Sequence, residues 1–94
     1  MSGTAEQHAR IVNPLGLHAR PAAEFVKLAS RFRADIFVEK DGMEVNGKSI
    51  MGVMTLAAEC GSTIRIRAMG DDATPALVAL VDLVARGFDE AYAS

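Results

Sequence analysis

The stretch GLHARPA, residues 16–22, places a histidine and an arginine two positions apart, just ahead of a proline. Pro21 lacks an amide proton, so a helix tolerates it only in the first turn, where that proton would have no partner. A helix must therefore begin close to Ala19 or Pro21, which puts His18 at or just before its N-cap. Because a cap residue leaves helical geometry, its imidazole can converge with the Arg20 guanidinium, whereas residues two apart inside a helix point to different faces.

This combination of an imidazole, a fixed positive charge and the free amides of a first helical turn suits a phosphoryl group. A neutral imidazole attacks phosphorus through one ring nitrogen and forms a covalent phosphohistidine. The helix terminus contributes about 0.3–1 kcal/mol at an exposed site. A full charge about 4 Å away contributes about 4 kcal/mol at an effective dielectric constant of 20, before screening and side-chain entropy reduce it. We therefore expect Arg20 to matter at least as much as the helix.

A plainer interpretation of the same residues is that His18 is a surface cap and Arg20 a solvated charge, since short motifs match by chance. His8 lies in the first strand without a partner motif, and we interpret it as a surface residue. Cys60 is interpreted as a small buried hydrophobic residue. Two isolated histidines and one cysteine make no metal ligand set, so no metal is expected.

The composition predicts one soluble domain spanning residues 1–94, because a chain of this length has no room for a second core. Ten basic and twelve acidic residues give a net charge of −2, which argues against a broad nucleic-acid-binding surface. No apolar run approaches the roughly 20 residues that cross a bilayer, and the N-terminus lacks the pattern of a secretory signal. The single cysteine excludes an internal disulfide and fits a reducing compartment. We expect a cytoplasmic protein without membrane insertion.

Helical periodicity begins at about residue 19, and a second, shorter helix is predicted from Ser49 over IMGVMTLAA, weakened by Gly52. Thr74 and Pro75 are typical of a third helix start. The apolar residues expected on the buried faces of the first and last helices are Ala22, Phe25, Val26, Ala29 and Phe32, and Leu77, Leu80, Val81, Val84 and Phe88.

Alternating hydrophobicity predicts four strands, in the segments QHARIV (residues 7–12), ADIFVEK, MEV and STIRIRA. Asp41-Gly42 is typical of a tight hairpin turn. The resulting order, β-α-β-β-α-β-α, indicates an α+β fold of two layers, with helices over one face of an antiparallel sheet. The order does not separate a ferredoxin-like sheet from other split β-α-β topologies, and topology leaves function open.

Two blocks, GLHARPAAEFV and VNGKSIMGVMTLAAECGSTIRI, closely resemble the histidine-containing phosphocarrier (HPr) family of the bacterial phosphotransferase system. The resemblance extends over essentially the whole chain. It implies an open-faced β-sandwich with strand order 1-4-2-3 and three helices on one face. It also implies that His18 is phosphorylated on Nδ1, that Arg20 is the active-site arginine, and that Ser49 matches the regulatory serine that an ATP-dependent kinase modifies in many bacteria.

The same resemblance implies the partners. Enzyme I, charged by phosphoenolpyruvate, would supply the phosphoryl group, enzyme IIA proteins would receive it, and a serine kinase is a further candidate partner. No cofactor and no nucleic acid is implied, and we expect a monomer. Docking on unrelated partners requires adaptable apolar surface around the histidine. The family places Leu17, Ile50, Met51 and Met54 there, whereas Val53 and Leu56 are interpreted as core.

Other classes of function stay open from the residues alone. A small ferredoxin-like hydrolase of phosphate esters or acyl phosphates would use Arg20 as an anion clamp. A purely regulatory binding module would keep the fold without phosphoryl transfer, although it would not need an imidazole at residue 18. Within the family, a regulatory nitrogen-related branch is the alternative to sugar transport.

Overall fold

The computed structural model describes residues 3–90. Four strands and three helices follow one another, and a single left-handed turn over Gly87–Asp89 comes after the last helix. The elements are β1 (Gly3–Arg10), α1 (Ala19–Ala29), β2 (Asp35–Lys40), β3 (Met43–Asn46), α2 (Ile50–Thr55), β4 (Thr63–Gly70) and α3 (Ala73–Ala85).

The four strands form one antiparallel sheet in the order β1-β4-β2-β3. This confirms the α+β open-faced sandwich and the strand order that the resemblance implied. Buried side chains alternate with more exposed ones along the two central strands; they include Ile36 and Val38 of β2 and Ile64 and Ile66 of β4. The sequence interpretation of β2 and β4 is therefore confirmed.

The first strand begins earlier than the sequence indicated. It was predicted over residues 7–12, but β1 starts at Gly3, which is paired with Gly70, and ends at Arg10, which is paired with Thr63. Its bounds follow from pairing with the long β4 rather than from its own weak alternation. Ile11 is still tied to the turn before β4, since its amide donates to Ser62 and its carbonyl accepts from Gly61.

The short helix α2 and the last helix α3 both end before the apolar pattern does. α2 stops at Thr55, because the chain turns at Ala57, whose φ is +49°. α3 stops at Ala85, so Phe88 does not belong to its buried stripe as predicted, although its side chain is buried from the left-handed turn that follows.

Two turns are well defined, one within a hairpin and one that contacts a distant segment. Asp41 and Gly42 form the predicted hairpin turn between β2 and β3, with φ of +52° and +85°. Asp72, just before α3, accepts hydrogen bonds from the amides of Arg33 and Ala34, both at 2.8 Å. These amide donors, Arg33 first, hold the pKa of the Asp72 carboxyl below its usual value.

Cys60 is exposed rather than buried, because it lies in the turn between α2 and β4, with its Sγ 3.7 Å from the carbonyl oxygen of Val12. The outer face of the sheet carries ion pairs, in which Arg65 contacts Glu39 and Arg67 contacts Glu44. Within residues 3–90, no helix is long and apolar enough to cross a membrane.

Candidate functional site

His18 is the N-cap residue of α1, as predicted. Its backbone is extended, with φ −77° and ψ −173°, and its side chain makes no capping hydrogen bond. The imidazole is 37% exposed. Within residues 3–90, the amides of Ala19 and Arg20 donate to no acceptor, so the first turn of α1 keeps two N–H donors beside the imidazole.

The loop before α1 is held by a buried asparagine and a closely packed glycine. The Asn13 amide nitrogen donates to the carbonyl of Gly16 at 2.7 Å, and the side chain of Asn13 is fully buried. Leu17 donates its amide to the carbonyl of Ala58 at 2.8 Å. Gly16 has φ +67°, and a Cβ there would lie 2.3 Å from the same Ala58 oxygen. Glycine is required at this position, because no side chain fits between the two loops.

Glu90, which follows the left-handed turn after α3, contributes a carboxylate to the site. Its Oε2 lies 2.9 Å from Nε2 of His18, and its Oε1 accepts a hydrogen bond from the Asn13 amide nitrogen at 2.8 Å. The carboxylate is mostly buried between these partners. Sequence reasoning missed Glu90 and Asn13, because no local motif marks contacts between Glu90 and residues that lie 72 and 77 positions before it.

The two imidazole nitrogens of His18 therefore differ in their surroundings. A carboxylate oxygen only accepts hydrogen bonds, so the proton shared with Glu90 belongs to Nε2. Nδ1 then carries the lone pair, and no atom of residues 3–90 is hydrogen-bonded to it. In a neutral imidazole, this arrangement leaves the lone pair of Nδ1 available for a reaction.

Arg20 lies in the first turn of α1 and is exposed. Within residues 3–90 its guanidinium makes no salt bridge. It lines a cleft of about 430 Å³, together with Pro21, Glu24, Phe88, Asp89 and Glu90. A guanidinium that is not engaged by a carboxylate can turn toward an arriving anion.

Ser49 is the N-cap residue of α2, as the sequence indicated, and its Oγ accepts a hydrogen bond from the amide of Gly52 at 3.0 Å. α2 packs against α1. Three apolar side chains of α2 are exposed, most of all Met51 at 74%. We call this exposed surface the α2 patch; it consists of Ile50, Met51 and Met54.

The expectation that Leu17 belongs to the exposed apolar surface is wrong. Its side chain is only 4% exposed and packs in the core, because the hydrogen bond of its amide to Ala58 draws the loop inward. Leu15 in the same loop is exposed instead. Val53 and Leu56 are buried, which confirms their interpretation as core.

No group of three or more histidine, cysteine, aspartate or glutamate side chains in the described part of the chain is arranged to hold a metal ion.

Comparisons with known proteins agree with the geometry. A family model described as the PTS HPr component phosphorylation site matches residues 5–86. The phosphocarrier protein HPr of Neisseria meningitidis serogroup A is 45% identical over 85 residues, which cover 90% of this chain and 96% of that protein. The HPr-like protein Crh of Halalkalibacterium halodurans is 48% identical over 79 residues, covering 84% of this chain and 94% of that protein.

Two solved structures of HPr from Thermoanaerobacter tengcongensis share the fold. The crystal structure described as HPr-C-His is 49% identical, has a TM-score of 0.89 and covers 94% of this chain and 99% of its own. The crystal structure described as an HPr dimer is 52% identical, has a TM-score of 0.74 and covers 86% of this chain and 93% of its own.

Proposed function

The chain belongs to the HPr family of phosphocarrier proteins of the phosphotransferase system, and on that premise we propose that Nδ1 of His18 accepts a phosphoryl group from enzyme I and passes it to enzyme IIA proteins. The observation that carries the proposal is the helix-start histidine whose Nε2 is bound by Glu90 while Nδ1 is left without a partner in residues 3–90. No cofactor takes part in this proposal.

The transfer needs one bond to form as another breaks. The lone pair of Nδ1 attacks phosphorus, the donor atom on enzyme I leaves with its electron pair, and the proton on Nε2 stays in place. In the second transfer, a nucleophilic atom of an enzyme IIA protein attacks phosphorus, and Nδ1 leaves with the electron pair of the N–P bond. In the family, such a protein is a covalent carrier rather than an enzyme with its own turnover.

We propose that Arg20 and the first turn of α1 stabilise the negative charge of the transferred phosphoryl group. The Arg20 guanidinium is exposed beside the cleft, and the two amides at the start of α1 have no acceptor within residues 3–90. Both are donors for phosphate oxygens. Because the phosphoryl group arrives and leaves, a mobile guanidinium suits the role better than a fixed ion pair.

Docking is assigned to the α2 patch, which offers flexible methionine side chains to unrelated partners. Ser49 directly precedes this patch, so we propose it as the regulatory phosphorylation site, modified by a serine kinase.

We place these reactions in the cytoplasm. Oligomeric state stays a prediction: we expect a monomer, while three solved structures of relatives, one of HPr and two of Crh, are described as dimers.

A second candidate function, favoured by the similarity to an HPr-like protein, is a regulatory carrier that is not linked to sugar transport. It shares the first step, phosphorylation of His18 by enzyme I, and differs in the acceptor. The acceptor is identified by offering the phosphorylated chain to sugar-specific and to nitrogen-related enzyme IIA proteins separately.

The decisive experiment incubates the chain with phosphoenolpyruvate and enzyme I. We expect one acid-labile, base-stable phosphate per chain, lost in His18→Ala and retained in His8→Ala, which removes the other histidine. Phosphate uptake by His18→Ala with the same lability would contradict the assignment. Release of free phosphate from small phosphate esters or acyl phosphates would favour a hydrolase instead.

A further inference from the structure

We propose that Glu90 is a positioning residue for phosphoryl transfer: its carboxylate holds the Nε2–H of His18, so that the ring presents Nδ1 as the nucleophile. The inference rests on the proposed function and deepens it, because it assigns the control of the nucleophile to the far end of the chain. Neither the sequence motif around His18 nor the docking surface contains this residue.

The first support is the way in which the carboxylate is held. Each of its oxygens has one partner, Asn13 on Oε1 and His18 on Oε2, at 2.8 and 2.9 Å. Asn13 is fully buried, and its amide nitrogen is also bound to the carbonyl of Gly16. The buried Asn13 amide thus holds one oxygen of the carboxylate while the other contacts the imidazole. Functional side chains are commonly oriented by such outer hydrogen-bond partners.

The second support is the backbone that delivers Glu90. Gly87, Phe88 and Asp89 all have left-handed φ, of +65°, +59° and +57°. A non-glycine residue in this conformation costs roughly 1–2 kcal/mol, so the turn carries strain at two positions. The buried side chain of Phe88 anchors it, and Glu90 leaves it in an extended conformation that reaches His18. Backbone strain of this kind is commonly found next to functional groups.

The chemistry explains why a carboxylate is useful at Nε2. The tautomer with its proton on Nδ1 would set the lone pair of Nε2 against Oε2 of Glu90, two acceptors that repel, so that tautomer is disfavoured. As Nδ1 bonds to phosphorus the ring gains positive charge, and the adjacent carboxylate stabilises it. No proton changes place in the step.

Nitrogen-15 NMR of the full-length chain, labelled at histidine, tests the inference without any phosphorylation. We expect the unmodified protein to show His18 in the Nε2–H tautomer, with that proton protected from exchange with water. Glu90→Ala should give a mixture of tautomers and lose the protection. Glu90→Gln, which keeps an accepting oxygen but no charge, should fall between them. Glu59→Gln is the matched control, because Glu59 lies in the turn beside the His18 loop and its side chain makes no hydrogen bond within residues 3–90.

Kinetics provide the second readout. The kcat for phosphorylation by enzyme I should fall about tenfold or more in Glu90→Ala, with little change in KM, and stay unchanged in Glu59→Gln. An unaltered tautomer and rate in Glu90→Ala would overturn the inference and leave the contact as a tie for the end of the chain. If Glu90→Ala unfolds, the tautomer and the rate of Glu90→Gln are compared with those of Glu59→Gln, and equal values in the two variants would overturn the inference. Absence of phosphate on His18 in the unmodified protein would instead overturn the proposed function, independently of the NMR result.

Discussion

Gly16 and the carbonyl oxygen of Ala58 approach so closely that a Cβ on residue 16 would lie 2.3 Å from that oxygen. The contact fastens the loop that carries His18 to the turn that follows α2. The neighbouring hydrogen bond, from the amide of Leu17 to the same oxygen, depends on this approach.

Gly16→Ala should therefore destabilise the protein by more than about 2 kcal/mol, because it adds steric overlap to a left-handed backbone conformation. Gly42→Ala is the matched control: it has φ +85° with no atom within 4 Å of the added Cβ. It should lose only about 1 kcal/mol from backbone strain. Urea unfolding of both variants measures the difference, and equal losses would show that the contact with Ala58 is unimportant.

Arg20→Glu should slow phosphorylation of His18 by roughly 10- to 100-fold, which corresponds to the loss of a charge-assisted hydrogen bond and the addition of a repelling charge. The midpoint of thermal unfolding should change little, since Arg20 is exposed and makes no salt bridge within residues 3–90. Arg33→Glu makes the same change of net charge beyond the far end of α1 and should transfer phosphate normally. A large loss of stability with a normal rate would assign Arg20 a structural role.

Met51→Glu should raise the KM for enzyme I by about tenfold while kcat is retained, because a charge in the α2 patch must be desolvated when a partner docks. Met51 is 74% exposed, so the fold should not change. Val78→Glu on α3, at a site that is 63% exposed, is the control and should have an unchanged KM. Equal KM values for the two variants would place the docking surface elsewhere.

Phosphorylation of Ser49 should leave the fold intact and reduce enzyme I-dependent phosphorylation of His18. The added phosphate carries about −1.5 to −2 charges at neutral pH and lies beside the α2 patch, where a docking partner would have to remove its water. Ser49→Asp is a partial mimic, for which we expect a rate reduced by about tenfold, a change of about 1.4 kcal/mol.

Ser49→Asn is the matched control for that experiment. Asn and Asp both cap a helix well, so each should keep the hydrogen bond with the amide of Gly52 and the stability of the protein. Only Asp adds charge. A normal transfer rate in the phosphorylated protein, measured with enzyme I, would leave Ser49 with its capping role alone.

Asp72 predicts a specific loss of stability in acid. Its folded-state pKa lies below the ordinary value of 3.8, chiefly because the Arg33 amide and then the Ala34 amide donate to the carboxylate. The stabilising contribution is therefore complete above that value, and it is lost as the pH falls through the lowered pKa. Asp72→Asn should be less stable at neutral pH, and the difference from the unmodified protein should shrink in acid.

Urea unfolding at a series of pH values measures this dependence. Asp71→Asn is the control, because the neighbouring Asp71 side chain makes no hydrogen bond within residues 3–90. If Asp71→Asn and Asp72→Asn changed the pH dependence equally, the hydrogen bonds to Asp72 would not be its cause.

Local chemistry made much of the structure predictable from the sequence. Pro21 limits the start of α1 to the vicinity of Ala19 or Pro21, which places His18 at or just before the cap, and Asp41-Gly42 specifies the turn between β2 and β3. What could not be predicted depends on tertiary contacts. Whether Leu17 is buried or exposed is decided by a hydrogen bond to Ala58 in a distant turn.

The candidate site divides in the same way. His18 and Arg20 could be identified from residue types and spacing. Glu90 could not, because it follows a left-handed turn whose non-glycine residues have no sequence signature for that conformation. A pattern that is read over a few neighbouring residues cannot find a carboxylate that arrives from the other end of the fold.

The pairing of β1 with β4 has a consequence for how the protein is made. Synthesis proceeds from the N-terminus, so His18 is synthesised well before β4. The pairing partners of β1, Gly70 for Gly3 and Thr63 for Arg10, are added only when β4 is made. Within residues 3–90, β1 has no other strand to pair with, and Glu90 emerges later still. β1 can therefore join the sheet only after β4 has been synthesised, and a nascent chain that ends before Glu90 presents His18 and Arg20 without the carboxylate that contacts Nε2 of His18.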